Sequence, residues 1–206
     1  PYAVDGESST IKSAGCGPTS AADVIATIKS EYIDPITLCA WARQMNYKIK
    51  ANGTSYGFFN AVGDAYGVPI IPITPSNIYH KPTSPYHAEA EKVLKNGEWL
   101  ICLMGVGTWT KAGHYVVAYG LQDGLVYVND PNSSASNRAC NEWDVFKNEV
   151  KYYWRVVVPE DIKKGAKPKS EYKRTDFIRE VQICIGAGLD GIAGKQTLSK
   201  TPTISQ

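Results

Sequence analysis

Cys16 stands between two glycines, in Gly15-Cys16-Gly17-Pro18, directly before a run in which Ala21, Ala22, Val24, Ile25 and Ile28 recur at helical spacing. That places a thiol at a helix start, where partial positive charge and N–H groups without intrahelical acceptors favour thiolate over thiol. The same N–H groups can hold a developing oxyanion, and Gly15 and Gly17 let a substrate approach the backbone. A nucleophilic thiolate also needs a histidine to move protons and a third group to orient that histidine. The chain has three histidines. His80 and His87 flank the end of a proline-rich stretch, whereas His114 follows Gly113 and opens a strand. Asp130 closes another strand, before Pro131. The turn Asp123-Gly124 joins these two strands, so His114 and Asp130 fall at the same end of a sheet. Each residue alone has a bland reading as a buried thiol, a solvated strand end or a turn former. Together they meet the requirement for nucleophile, base and orienting acid.

The elements that must position these groups follow from periodicity and punctuation. Residues 1–15 read as loop. Helices are predicted over 16–30, over 35–47 behind the Asp34-Pro35 cap, and over 56–66 up to Gly67. Residues 68–74, broken by Pro69 and Pro72, read as an edge strand, and 87–96 as an amphipathic helix closed by Gly97. The period then changes to that of strands at 99–104, 114–121 and 125–129. A short helix over 142–149 precedes a last strand at 152–158. Helices first and an antiparallel sheet second make an α+β domain, with the helices expected on one side of the sheet.

A chain of 206 residues is one large domain, or one domain with a small appendage. With 43% hydrophobic and 20% charged residues it can bury a core, which excludes a wholly disordered chain. A net charge of +2 leaves no nucleic-acid footprint. A membrane span needs about 20 consecutive apolar residues, and the apolar runs here are strand-sized, so no span is expected. Five cysteines at wide spacings, without a CxxC pair, argue against zinc and against any other metal or cofactor. Cys39, Cys102, Cys140 and Cys184 read as structural. Thirteen Tyr and five Trp are a high aromatic load, and the ones nearest the motifs, Tyr56, Phe58, Trp109 and Tyr115, are candidates to line a groove. Tyr56 and Trp109 are the two expected to contact substrate. Trp109 lies in a polar, glycine-flanked loop before His114, where exposure is expected.

Gly15-Cys16-Gly17-Pro18-Thr19-Ser20-Ala21-Ala22, Gly113-His114-Tyr115-Val116-Val117 and Val128-Asn129-Asp130-Pro131 together resemble the papain-like cysteine peptidases related to the bacteriocin-leader peptidases. Gly53-Thr54-Ser55-Tyr56-Gly57-Phe58-Phe59 is similar to a motif of the branch found in bacterial wall enzymes and phage endolysins. The resemblance covers residues 8–158 and implies Cys16 as nucleophile, His114 as general base and Asp130 as orienting acid. The family's Gln upstream of the nucleophile has no counterpart, since the first Gln is Gln44. Ser9, Thr10 or main-chain N–H groups are the candidates to replace it as oxyanion donor. A second resemblance covers 175–205. Phe177-Ile178-Arg179-Glu180-Val181-Gln182, with Leu189-Asp190-Gly191-Ile192-Ala193-Gly194, is similar to the first half of a peptidoglycan-binding module.

The organisation expected is a papain-like catalytic domain at 1–158, a charged linker at 159–174 and a partial wall-binding module at 175–206. Phe177, Val181 and Ile185 form an apolar stripe in that module that could support self-association. The resemblance implies an endolysin-type peptidoglycan hydrolase that cuts an amide of the wall peptide through a thioester. An N-acetylmuramoyl-L-alanine amidase using the same triad and a catalytically inactive wall-binding protein are the alternatives. The polar stretch 1–12 lacks the apolar segment of a secretory signal. The expectation is therefore synthesis in the cytoplasm of a bacterial host and action on the wall.

Overall fold

The computed structural model describes residues 2–133 and 135–165. The predicted linker beyond 165 and the predicted module at 175–206, with its stripe of Phe177, Val181 and Ile185, lie outside the described residues.

A short helix, α1 (Ile11–Ala14), occupies part of the stretch read as loop, because Thr10 and Ser13 cap it reciprocally, side chain to backbone. Then follow α2 (Cys16–Lys29), α3 (Pro35–Gln44) and α4 (Phe58–Tyr66). Asp34 Oδ1 accepts the Ile36 N–H at 2.8 Å, and Pro35 occupies the first turn, so α3 begins where the sequence places it. Helix α4 ends because Gly67 adopts φ +67°, a conformation open to glycine at no steric cost.

Six strands form one antiparallel sheet: β1 (Ile70–Pro72), β2 (Trp99–Met104), β3 (His114–Gln122), β4 (Leu125–Asn129), β5 (Cys140–Glu142) and β6 (Val150–Val156), in the order β1-β6-β2-β3-β4-β5. Pro72 falls on the edge strand β1, where no ladder donor is missed. Between β3 and β4 the chain reverses at Asp123 (φ +52°) and Gly124 (φ +78°), the two positive φ values that a tight hairpin requires. Helix α5 (Pro85–Lys95) precedes β2, α6 (Ser136–Ala139) and α7 (Trp143–Glu149) flank β5, and α8 (Glu160–Gly165) follows β6. Helix α8 lies where the linker was expected to begin. Lys163 pairs with Glu160 at 2.8 Å and reaches Glu98 at 3.5 Å.

The helices cover both faces of the sheet, not one. Successive side chains of β2 point to opposite faces. Ile101 and Leu103 join Tyr115, Val117, Trp154 and Val156 in a core under α2, α3 and α4. Leu100, Cys102 and Met104 join Val116, Ala118 and Tyr153 in a second core under α5 and α7. Ala90, Val93 and Leu94 supply the apolar side of α5. Sheet strands this apolar on both faces cannot leave one in water.

Candidate active site

The hairpin β3–β4 and the helix α2 bring the three predicted catalytic side chains together. His114 begins β3 opposite Met104, and Asn129, the last residue of β4, pairs with Val117. Asp130 therefore emerges beside the first residues of β3. His114 Nε2 and Asp130 Oδ1 are 2.6 Å apart, and both residues are buried. Cys16, half-buried at the first position of α2, stands close enough to act on the imidazole as hydrogen-bond partner and as charge. Its main-chain N–H, like that of Gly17, falls in a first turn that has no intrahelical acceptor.

The electrostatics of the pair are mutual. Burial opposes a charge on His114, but the Asp130 hydrogen bond and the adjacent Cys16 outweigh it, and the imidazolium persists to about 9 against an ordinary value of 6.5. Burial likewise opposes ionisation of Asp130. The His114 contact, a 2.8 Å hydrogen bond from the Asn132 N–H and the Arg138 charge overcome it, so the Asp130 carboxyl titrates below its ordinary range. At neutral pH the arrangement is a carboxylate holding an imidazolium against a sulfur, the setting in which a thiolate is stabilised.

Gly15 and Gly17 do not open the backbone to a ligand as expected. The space that a Cβ would fill is taken by the protein itself. A Cβ on Gly15 would lie 2.6 Å from the Ile11 carbonyl oxygen, and one on Gly17 would lie 3.0 Å from Thr54 Oγ1. These glycines let α1 and the 52–55 loop close on the start of α2. That loop is fixed in turn by Tyr2, whose hydroxyl lies 2.7 Å from Thr54 Oγ1, and by the Tyr115 hydroxyl, which donates to the Thr54 carbonyl at 3.3 Å. The Thr10 hydroxyl is engaged in capping α1. Of the oxyanion donors considered, this leaves Ser9 and the main-chain N–H groups at the start of α2.

Tyr56 is 49% exposed, with its ring 4.6 Å from that of Tyr152 and 6.0 Å from that of Trp154. Ring contacts continue through Phe59 and Trp154 to Tyr115, the neighbour of His114 in sequence. Phe58 and Tyr115, the other two aromatics considered for a groove, are buried.

Trp109 is the correction. It was expected to be exposed and to face substrate, but it is 2% exposed. Its ring packs edge-on against Phe146 at 5.1 Å, and its Nε1 donates to the Arg138 carbonyl at 3.0 Å. The polar composition of the 105–113 loop misled because its polar groups are satisfied internally. Glu149 accepts from the Thr108 N–H at 2.7 Å and from its hydroxyl at 3.0 Å. The indole is the loop's anchor into the core, not its exposed tip.

Arg138 was not singled out from the sequence, and no spacing marks it. It lies on α6 and forms an ion pair with Asp130 through Nη2 and Oδ2. Asn129, the residue beside Asp130, serves a different contact: its side chain donates to Asp23 on α2 at 3.3 Å, where burial pushes the Asp23 carboxyl up to about 6. Of the other histidines, His87 is buried between the Tyr153 hydroxyl and the Lys81 carbonyl, at 3.0 Å each, and His80 sits 3.1 Å from the Asn148 side-chain nitrogen. Neither joins the cluster. Among the described residues no group of three His, Cys, Asp or Glu side chains is placed to hold a metal, and no helix is long and apolar enough to cross a membrane.

Residues 4–161 match the peptidase C39-like family. Among solved structures, a C39-like peptidase from Bacillus anthracis is 16% identical, covering 70% of this chain and 89% of its own, with a TM-score of 0.48. No curated protein matches.

Proposed function

This chain belongs to the peptidase C39-like family, and from that premise we propose that it is a cysteine hydrolase of bacterial cell-wall peptide, with Cys16 as nucleophile, His114 as acid and base, and Asp130 as the orienting group. The observation that carries the chemistry is the buried 2.6 Å contact from His114 to Asp130, with Cys16 against the same imidazole. The wall as substrate is supported by the Gly53–Phe59 motif and by the wall-binding pattern at 175–206.

Cys16 thiolate adds to the carbonyl carbon of the scissile amide, and the oxygen takes the negative charge next to the first-turn N–H groups of α2. The C–N bond then breaks as the His114 imidazolium gives its proton to the leaving amine, leaving a thioester on Cys16. Formation of the thioester removes the sulfur's charge, one of the causes holding the His114 value high. The imidazole thereby holds a proton less tightly and is free in its neutral form at the stage when it must take a proton from water. Hydroxide adds to the thioester, the C–S bond breaks to return the Cys16 thiolate beside the His114 imidazolium, and the carboxylic acid leaves and gives its proton to solvent. Asp130 keeps one nitrogen of the ring occupied, so the other faces Cys16 throughout.

Loss of turbidity of purified walls, compared for the natural chain and Cys16→Ala, tests the reading. Mass spectrometry of the fragments then separates a cut within the peptide from a cut at the sugar–peptide junction, the amidase alternative. Wall lysis that survives Cys16→Ala would remove Cys16 from the mechanism. No lysis by the natural chain, with cleavage of other peptides retained, would remove the wall as substrate.

A further inference from the structure

The side of Asp130 turned away from His114 is occupied by a group that the triad does not require. Asp130 Oδ1 receives His114 and the Asn132 N–H, while Oδ2 faces Arg138 Nη2, and the Asp130 side chain is fully buried. The same Nη2 donates to the Trp109 carbonyl at 2.5 Å, and the Trp109 indole N–H returns a bond to the Arg138 carbonyl at 3.0 Å. Arg138 thus joins the loop that delivers Asp130 and the loop that ends in His114. Its Nε and Asp130 Oδ2 are both buried without a hydrogen-bond partner among the described residues, so Arg138 and Asp130 meet as an ion pair and not through a hydrogen bond. A buried ion pair with an unmet donor is a poor stabilising device, since well-packed apolar side chains do as well or better. Its value lies in fixing where the charge sits.

We propose that Arg138 is a positioning residue of the reaction, clamping the Asp130 carboxylate and the His114 loop in one geometry through its guanidinium and the Trp109 backbone. The guanidinium, which reaches both Asp130 Oδ2 and the Trp109 carbonyl through Nη2, does two things that an apolar residue cannot. It keeps the Asp130 proton off, and it occupies Oδ2 so that Oδ1 is the oxygen presented to the imidazole. The charged groups around the carboxylate are Arg138 from α6 and His114 from β3, with Cys16 from α2 beyond the ring. Removing the Arg138 charge makes Asp130 easier to protonate and the Cys16 thiolate harder to form. Both effects move the acidic limb of Cys16 reactivity to higher pH.

This inference rests on the triad reading, so its test begins from Cys16 itself and needs no wall substrate. The full chain is treated with iodoacetamide across pH, and mass spectrometry follows alkylation at Cys16. The natural chain should react at Cys16 faster than at an ordinary thiol, down to mildly acidic pH. Arg138→Met should raise the midpoint of the acidic limb, so that alkylation at a fixed pH below it slows by about tenfold while the plateau is not lowered. Arg138→Lys, which keeps the charge but loses the planar group that also reaches the Trp109 carbonyl, should raise the midpoint by less. It also carries the test if Arg138→Met does not fold. A merely structural Arg138 would lower the melting temperature and leave the midpoint in place. An unmoved midpoint in Arg138→Met or, where that variant does not fold, in Arg138→Lys overturns the clamp while Cys16 reactivity stands. A natural chain whose Cys16 reacts no faster than a free thiol overturns the triad reading, and the clamp with it.

Discussion

Asp130→Asn is the most informative single change, because it keeps the shape of the side chain and its capacity to touch His114 but removes the charge. The His114 value of about 9 against an ordinary 6.5 is a preference for the imidazolium of about 3 kcal/mol, at roughly 1.4 kcal/mol per unit. Asp130 and Cys16 together provide that preference against burial. With an amide in place only Cys16 remains to oppose burial, and the nearby Arg138 cation is left without its carboxylate. The basic limb of the pH–rate profile should therefore fall by at least about one unit, or about 1.4 kcal/mol. In serine peptidases the equivalent change costs about 10⁴ in turnover. A thiol is a more acidic nucleophile than a serine hydroxyl and asks less of the imidazole during attack, so a loss of about 10²-fold is expected. The unpaired guanidinium should also lower stability by about 1–3 kcal/mol, read from thermal unfolding and used to correct the rates for folded fraction. The assay is wall turbidity loss from pH 5 to 10. A basic limb that stays near 9 with an unchanged plateau would show that Asp130 does not set the protonation of His114.

Cys16→Ser should abolish hydrolysis with the melting temperature retained, since a hydroxyl at its normal pKa is a poor nucleophile in a site built for thiolate; activity above a few per cent would contradict this. Stability should pass through a broad optimum in pH, measured by chemical unfolding. The lowered Asp130 value adds stability above roughly 4 that is lost as pH falls through its folded value, and the raised His114 value adds stability below roughly 6.5 that is lost as pH rises through about 9. Trp109→Ala should destabilise by about 3–5 kcal/mol, as large buried aromatics do, whereas Trp109→Phe, losing one donor, should cost about 1–3 kcal/mol; equal melting temperatures for the two would deny the indole its anchoring role. Deleting residues 169–206 should leave turnover of a small soluble muropeptide nearly unchanged while weakening binding to intact walls or changing the oligomeric state; loss of small-substrate turnover would make the tail part of the catalytic unit.

The sequence was most legible where the local chemistry is decisive. The helix after Cys16, the Asp34-Pro35 start of α3 and the Asp123-Gly124 hairpin each depend on a few adjacent residues, and the hairpin alone was enough to set Asp130 beside His114. Strands β2 and β4 begin and end where their apolar runs do, at Trp99–Met104 and Leu125–Asn129. Periodicity could not say which face a helix would choose. Helix α5 is amphipathic wherever it packs, and only the alternation of Leu100, Cys102 and Met104 against Ile101 and Leu103 requires a cover on each side of the sheet. Short elements were lost for a related reason: α6 and β5 are held by partners distant in sequence, such as Trp109 and Tyr127, not by their own residues.

The misplaced Trp109 and the overlooked Arg138 have one cause. Residues 105–113 look like an exposed loop because glycines and threonines fill them, and a tryptophan in such company reads as a ligand contact. Residues 134–139 carry no pattern that marks an element, and nothing local sets Arg138 apart. Each is explained only by the other: the indole N–H needs the Arg138 carbonyl, and the guanidinium needs the Trp109 carbonyl and the Asp130 charge. Main-chain carbonyls carry no sequence signal, so a brace built from them cannot be read from residue types. The proposed reacting groups are the reverse case, because a thiol at a helix start and an imidazole and a carboxylate at one end of a hairpin are marked by residue type and local pairing together. A site of this kind therefore shows its reacting groups in the sequence and conceals the groups that aim them.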